Sequence, residues 1–118
     1  DFETFPTESV LEPYCVIEVD TKGIPQSCAY DQVNQRVVVG DSRGNLAYFQ
    51  LKNSECGEQL YVVHNSVLPR VHQKQHITSV KWLTPSTILS AGNDGCLHVS
   101  YLRGEFLQKG WSYPAPSL

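Results

Sequence analysis

Short runs of alternating hydrophobic and polar residues make up most of this chain, and Gly, Asn, Asp and Pro separate one run from the next. A period of two is typical of strands that bury one face. No stretch has the three-to-four-residue spacing of an amphipathic helix. The pattern therefore predicts an all-β structure.

The predicted strands fall into two similar groups that follow each other along the chain. In chain order they are Tyr14–Val19, Ile24–Tyr30, Arg36–Gly40, Asn45–Leu51, Ile77–Leu83, Thr87–Ser90, Cys96–Leu102 and Glu105–Gly110, with Tyr61–Val63 as a further candidate. Val is abundant and Ala is scarce in these runs, which favours strands over helices.

Each group contains a polar turn that ends in glycine, Asp41–Gly44 in the first and Asn93–Gly95 in the second. Asp-Gly between two β-rich runs is a strong hairpin signal, because both turn positions need a positive φ. Aligning Gly44 with Gly95 superimposes the groups with an offset of about 51 residues. This offset slightly exceeds the ~40–45 residues of a WD-repeat blade.

The repeated pattern predicts a partial WD-repeat β-propeller with about two four-stranded blades. The predicted divisions are a connector at 1–13, an outer strand of a preceding blade plus the first blade at 14–51, a connector loop with a candidate outer strand at 52–69, the second blade at 70–110 and a tail toward the next blade at 111–118. A propeller needs at least about four blades to close. Because the sequence also contains no Met, we expect it to be a fragment of a longer chain.

Composition narrows the function classes. The formal net charge of −3 and a sequence pI near 5.7 argue against a freestanding nucleic-acid-binding module, which usually has a basic face. Weak acidity still permits nucleic-acid contact through a partner. No signal-peptide pattern and no apolar run long enough to cross a bilayer occur. We therefore expect a protein that does not contact a membrane.

The four cysteines, Cys15, Cys28, Cys56 and Cys96, lie far apart and form no Cys-x-x-Cys pair. An even number permits a disulfide framework in a secreted protein. Cys15, Cys28 and Cys96 lie in apolar strand-like runs, where a buried free Cys acts as a small hydrophobe. We therefore favour reduced, intracellular cysteines over disulfides.

Three polar residues occupy the places at which a WD-repeat blade builds its internal hydrogen-bond network. His72 precedes the first strand of the second group, Ser90 lies in the next strand, and Asp94 lies in the following turn. An aromatic residue on the third strand normally completes the network, but Ser100 stands there. In the first group Arg43 replaces the turn Asp, so both groups depart from the blade pattern.

The same residues permit other interpretations, which the sequence does not favour. Ser, His and Asp form nucleophilic triads, but Ser90 lies in a β run and not in a Gly-x-Ser-x-Gly elbow. His72 and His76 are a candidate metal pair, but no third ligand is spaced nearby. The glycines around Arg43 lack the Gly-Lys-Ser/Thr ending of a phosphate loop. We therefore predict no catalytic, cofactor-binding or metal site.

One cluster combines basic and aromatic residues near the start of the second group. Arg70, Lys74, His76 and Lys81 are candidates for contact with RNA or a partner protein, and Trp82 could stack on a base. The alternative, which we favour, is a solvated loop and a core Trp.

Three segments together resemble a known family: VVVGDSRGNLAYF, LPRVHQKQHITSV and SAGNDGCLHVSYLRGEFLQ. They are similar to the central region of the WD-repeat regulatory subunits of a tRNA wobble-nucleotide ribose 2′-O-methyltransferase. The resemblance covers roughly Gln35 to Gln108, with a gap in the connector at 52–67. It carries over no site residue, since the matched motifs are structural.

The resemblance implies a cytoplasmic, multi-propeller scaffold without catalytic activity. Its partners would be the tRNA ribose 2′-O-methyltransferase, which binds S-adenosylmethionine itself, and tRNA held through the complex. It implies no cofactor, no membrane contact and no small-molecule substrate for the scaffold. The alternative function is a generic WD-repeat adaptor for protein assembly without an RNA role, because one propeller fold serves many functions.

Overall fold

The computed structural model describes residues 17–55 and 59–114 and contains eight strands and no helix within them. The strands are β1 (Pro25–Asp31), β2 (Arg36–Asp41), β3 (Leu46–Asn53), β4 (Leu60–Leu68), β5 (Ile77–Thr84), β6 (Thr87–Gly92), β7 (Cys96–Arg103) and β8 (Phe106–Pro114). They form two four-stranded sheets with strand orders β1-β2-β3-β4 and β5-β6-β7-β8. All neighbouring strands are antiparallel. The predicted all-β class is confirmed.

The two sheets, called here the N-terminal sheet (β1–β4) and the C-terminal sheet (β5–β8), repeat each other along the chain. Both bounds of β6 lie 51 residues after the matching bounds of β2. Sequence alignment of the two glycine turns predicted this offset.

Two stretches differ from the sequence expectations. The predicted connector at 52–69 contains all of β4, a strand of nine residues that completes the N-terminal sheet and extends the candidate strand Tyr61–Val63 in both directions. Its side chains alternate between half-buried and exposed, and the polar start of the stretch concealed this pattern. In the predicted strand Tyr14–Val19, residues 17–19 are not in a strand, and 14–16 lie outside the described residues.

The end of the chain also differs from expectation. Residues 111–114, predicted as part of a tail, continue β8 to Pro114, which pairs with Cys96 at the start of β7. The edge strand predicted at Glu105–Gly110 is therefore longer than the sequence indicated.

The main hydrophobic core lies between the two sheets. Tyr48, Leu46 and Val38 from the N-terminal sheet are fully buried and belong to one cluster with Ile77 and Ile88 of the C-terminal sheet. A second cluster, on the other face of the N-terminal sheet, contains Val39, Ala47, Phe49 and Leu51. Because β2 and β3 bury both faces, their hydrophobic residues follow one another without strict alternation.

Hydrogen bonds join the sheets at several points along this interface. The Oγ of Ser27 donates to the carbonyl of Ile77 over 2.9 Å, and a guanidinium nitrogen of Arg36 donates to the carbonyl of Pro85 over 2.8 Å. The shared core and these bonds fix the position of one sheet against the other.

Cys28 and Cys96 are free thiols, while Cys15 and Cys56 lie outside the described residues. Cys28 is exposed on β1, so its predicted burial is wrong: its side chain points away from the core. Within the described ranges, no helix has the length and apolar character needed to cross a membrane.

Candidate functional site

The buried ring of His72 connects two other polar side chains. Its Nδ1 lies 2.9 Å from Oδ1 of Asp94, and its Nε2 lies 2.8 Å from Oγ of Ser90. An ionised carboxylate only accepts hydrogen bonds, so Nδ1–H of His72 donates to Asp94 and Nε2 accepts the Ser90 hydroxyl proton. The structure therefore brings together the three residues that were grouped from the sequence.

The backbone packs closely around His72 and leaves no space for a further side chain beside its ring. The His72 N–H donates to the carbonyl of Gly44 over 3.1 Å, which ties the ring's backbone to the N-terminal sheet. A Cβ on Gly92 would lie 2.5 Å from Nδ1 of His72. Glycine at position 92 therefore makes space for the ring.

The turn that carries Asp94 differs from the two-residue type predicted for Asp-Gly. Only Gly95 has a positive φ, 76°, and three residues separate β6 from β7. This matches a three-residue hairpin loop with its last residue in the left-handed region. The Cys96 N–H donates to Oδ1 of Asp94 over 3.1 Å, so the side chain stabilises its own turn.

His98 is a buried residue of this site that was not predicted from the sequence. It pairs with Ser90 across β6 and β7, and its ring centroid lies 4.2 Å from that of His72 with the planes at 80°. Its Nε2 lies 3.4 Å from Oδ2 of Asp94. The period-two pattern of β7 could have found it, because His98 and Ser100 face the same side of the strand.

This polar cluster, defined as His72, Ser90, Asp94 and His98, contains buried atoms without a hydrogen-bond partner. Within the described residues, these atoms are Oδ2 of Asp94, Nδ1 and Nε2 of His98, and Oγ of the adjacent Ser100. Buried polar groups normally form hydrogen bonds. A buried polar atom without a hydrogen bond therefore needs an explanation from its local chemistry.

Burial and neighbouring groups shift two pKa values in the cluster. Burial raises the pKa of Asp94, but hydrogen bonds from His72 and Cys96 outweigh it and bring the pKa below its ordinary value of 3.8. Burial also lowers the pKa of His98 below its ordinary value of 6.5. At neutral pH the cluster thus contains an ionised Asp94 and a neutral His98.

The corresponding turn of the N-terminal sheet uses a different carboxylate. Asp41 is fully buried, and its Oδ1 accepts the N–H groups of Arg43 and Asn45, each over 2.8 Å. Its Oδ2 accepts the Asn45 amide over 2.9 Å, and Thr21 provides a further hydrogen bond. From the sequence, Arg43 was expected to replace the turn Asp. The structure places that role two residues earlier.

The hydrogen-bond order Ser90–His72–Asp94 is that of the expected blade network and also that of a nucleophilic triad, which the sequence did not favour. Ser90, however, is 1% exposed and lies in the middle of the C-terminal sheet, between β5 and β7. A nucleophile needs room for a substrate beside its oxygen. The position of Ser90 fits a structural hydroxyl.

A basic cleft of about 680 Å³ opens beside the turn that holds Asp41. Four basic side chains and one carboxylate line it, in a chain whose overall formal charge is −3. The lining residues are Asp20, Thr21, Lys22, Arg43, Asn45, Val67, Pro69, Arg70 and Lys74. Clustered cations in a concavity attract anionic groups more strongly than scattered surface charges do.

The backbone of the basic cleft is held in an uncommon conformation. Lys22, Arg70 and Lys74 have positive φ values of 67°, 57° and 67°. Left-handed backbone is unfavourable for residues other than glycine, and the surrounding structure has to maintain it. One such interaction is the Arg70 N–H, which donates to Oδ1 of Asn45 over 2.9 Å.

The structure divides the basic and aromatic residues that were grouped from the sequence. Arg70 and Lys74 line the basic cleft, whereas His76 and Lys81 are exposed and do not line it. Trp82 is half-buried between the sheets, where its Nε1–H donates to the carbonyl of Ala29 over 3.3 Å. Trp82 therefore serves the core, as the favoured alternative predicted.

Sequence and structure comparisons add no relative. No protein family, no characterised protein and no solved structure matches this chain.

Proposed function

We propose that this chain is a non-catalytic, propeller-forming segment of a scaffold subunit that helps position tRNA. The partner enzyme would methylate the ribose 2′-oxygen of the wobble nucleotide in the anticodon. The proposal rests on the motif resemblance over Gln35 to Gln108 and on the basic cleft, and each supports a different part of it.

The propeller part is supported by the tandem sheets. Two four-stranded antiparallel sheets follow one another, share a core, and carry a turn carboxylate in comparable places. The network from His72 to Ser90 and Asp94 links the loop before β5 to β6 and to the following turn. Radial repetition of such units is how propellers are built.

The RNA part is carried by one observation, the convergence of Lys22, Arg43, Arg70 and Lys74 on the basic cleft. Lysine and arginine neutralise phosphates and so provide most of the sequence-independent affinity for nucleic acids. Contacts to phosphates position a nucleic acid without reading its bases. This is the chemistry that a subunit needs when it orients a tRNA for another enzyme.

Neutralising two cleft cations tests the proposal. In the full-length protein bound to its methyltransferase, Arg70→Gln with Lys74→Gln should weaken tRNA binding and wobble methylation together. The slope of the logarithm of the binding constant against the logarithm of the salt concentration should become shallower by about 0.7–0.9 for each phosphate that the variant no longer neutralises.

Lys52→Gln with Lys109→Gln is the matched control, because both lysines are exposed and neither lines the basic cleft. It removes the same charge, so a purely long-range effect would lower binding equally in both double variants. Equal binding by the two double variants would contradict a role for the basic cleft. Deleting residues 17–114 should abolish methylation while the enzyme remains present, as measured by ribose-methylation mapping.

The alternative proposal is a generic WD-repeat adaptor without an RNA role. Affinity purification of the intact chain separates the two. Recovery of a methyltransferase with tRNA supports the scaffold, and recovery of ubiquitin-ligase or trafficking subunits without RNA supports the adaptor.

A further inference from the structure

His98 supplies the third ligand whose absence from the sequence pattern led to the prediction of no metal site. One potential ligand atom from each of His72, Asp94 and His98 lies within 4.8 Å of the other two. His76, the partner considered from sequence, is exposed and lies outside this group. The three residues come from the loop before β5, the β6–β7 turn and β7.

The unpartnered atoms of the polar cluster indicate what is missing from it. Oδ2 of Asp94 and Nε2 of His98 are both buried without a hydrogen bond to any of the described residues, and they face each other over 3.4 Å. Two ligands about 2.1 Å from a tetrahedral Zn²⁺ lie roughly 3.4 Å apart. The gap between the two atoms therefore has the width that a shared zinc ion requires.

We propose that His72, Asp94 and His98 bind a divalent metal ion of the Zn²⁺ class, with water in the fourth position. Two imidazoles and a carboxylate are ligands that Zn²⁺ accepts in a tetrahedral arrangement. The ion takes the place of the proton on Nδ1 of His72, and the ring stays neutral because its single N–H proton then lies on Nε2. Nε2–H of His72 then donates to Oγ of Ser90, which orients the ring as an outer partner.

Metal binding at this position joins three segments of the C-terminal sheet. It satisfies the Asp94 and His98 atoms that otherwise lack partners, and it anchors the loop that also carries Arg70 and Lys74. The proposal does not depend on RNA binding, because none of its ligands lines the basic cleft.

Zinc titration of the full-length chain, freed of metal with a chelator, tests the site by calorimetry. The native chain should bind one additional Zn²⁺ compared with His98→Leu, which fills a similar space without a ligand. Asp94→Asn should weaken that binding at least about tenfold, since even changes to outer partners of a metal site cost 10–100-fold. His76→Ala, an exposed histidine outside the cluster, should bind as the native chain does.

A folding measurement accompanies the titration. Zn²⁺ should raise the melting temperature of the native chain and of His76→Ala, but not that of His98→Leu. Circular dichroism identifies any variant that does not fold. If His98→Leu does not fold, Asp94→Asn replaces it in the comparison with the native chain. The proposal is wrong if native chain and His98→Leu take up equal zinc, or if zinc leaves the native melting temperature unchanged.

Discussion

Asp94 combines two structural tasks in one side chain. It accepts hydrogen bonds from the His72 ring and from the Cys96 backbone, at 2.9 and 3.1 Å, while its side chain is 7% exposed. A residue with this environment stabilises the fold through its neighbours. Loss of the carboxylate leaves both donors without an acceptor.

We expect Asp94→Ala to destabilise the full-length protein by about 1–3 kcal/mol, measured by denaturant unfolding in the presence of chelator. Partner binding should fall only in proportion to the decrease in folded material. Asn93→Ala is the control, because Asn93 is an exposed residue of the same turn. A variant of Asp94 with native stability but no partner binding would instead identify Asp94 as a contact residue.

His98 illustrates a residue whose role depends on its neighbours. Alone on β7 it is one polar residue in an alternating strand, but its pairing with Ser90 places it beside His72. The sequence contained the period that orients it, yet the distance to Asp94 follows from the bend of the β6–β7 turn. Sequence reasoning therefore reached three of the four cluster residues.

Among the structural elements, the β2–β3 turn owes its shape to Asp41. Burial raises the pKa of Asp41, but hydrogen bonds from Thr21, Asn45 and Arg43 outweigh burial and bring the pKa below its ordinary value of 3.8. A group with a lower pKa in the folded state stabilises the protein above its unfolded pKa. That stabilisation is lost as the pH falls through the folded pKa.

Asp41→Asn should therefore lower the free energy of unfolding at pH 7 by about 1–3 kcal/mol. The difference from the native protein should narrow as the pH falls below about 4, because protonation removes the same charge in the native protein. Glu55→Gln is the control, since Glu55 is exposed outside the strands. A difference that stays constant from about pH 7 to about pH 3 would show that the charge of Asp41 is not what stabilises the turn.

Strand β4 shows why an element can be predicted only in part, since the candidate strand Tyr61–Val63 covers three of its nine residues. Its residues alternate as a strand requires, but polar His64, Asn65 and Ser66 interrupt the hydrophobic run. Pairing with β3 over residues 46–53 provides the backbone hydrogen bonds that local propensity did not indicate. Tertiary context commonly overrides propensity in strands.

The two sheets pack closely against each other at Gly40. A Cβ at this position would overlap Cγ2 of Ile77 from the other sheet and would lie 2.9 Å from Oγ of Ser27. Ile77 is fully buried and accepts the Ser27 hydroxyl at its carbonyl over 2.9 Å. Little room therefore exists for a side chain between β2 and β5.

Gly40→Ala should accordingly lower the free energy of unfolding by about 1–3 kcal/mol, which is typical for overpacking a core. Denaturant unfolding of the full-length chain measures this decrease. Gln26→Ala, an exposed change on β1, should stay within about 0.5 kcal/mol of the native value. If Gly40→Ala instead raised the free energy of unfolding, the two sheets would separate easily, and β2 would gain stability from the replacement of its glycine.

The amino-acid order decided the local features of this protein. Alternation with a period of two, together with the glycines at positions 44 and 95, predicted most strands, the turns between them and the 51-residue repeat. These features depend on backbone geometry within a few residues, so the sequence carries them directly.

Only the packed structure decided which distant side chains meet. Lys22, Arg43 and Arg70 are separated by more than twenty residues along the chain, and they share a cleft because the sheet brings their loops to one end. Trp82 lies in the core and not with the basic residues near it in sequence, while His98 lies beside His72 and Asp94. Such contacts depend on strand register and on the packing of one sheet against the other, which are long-range properties that no local pattern encodes.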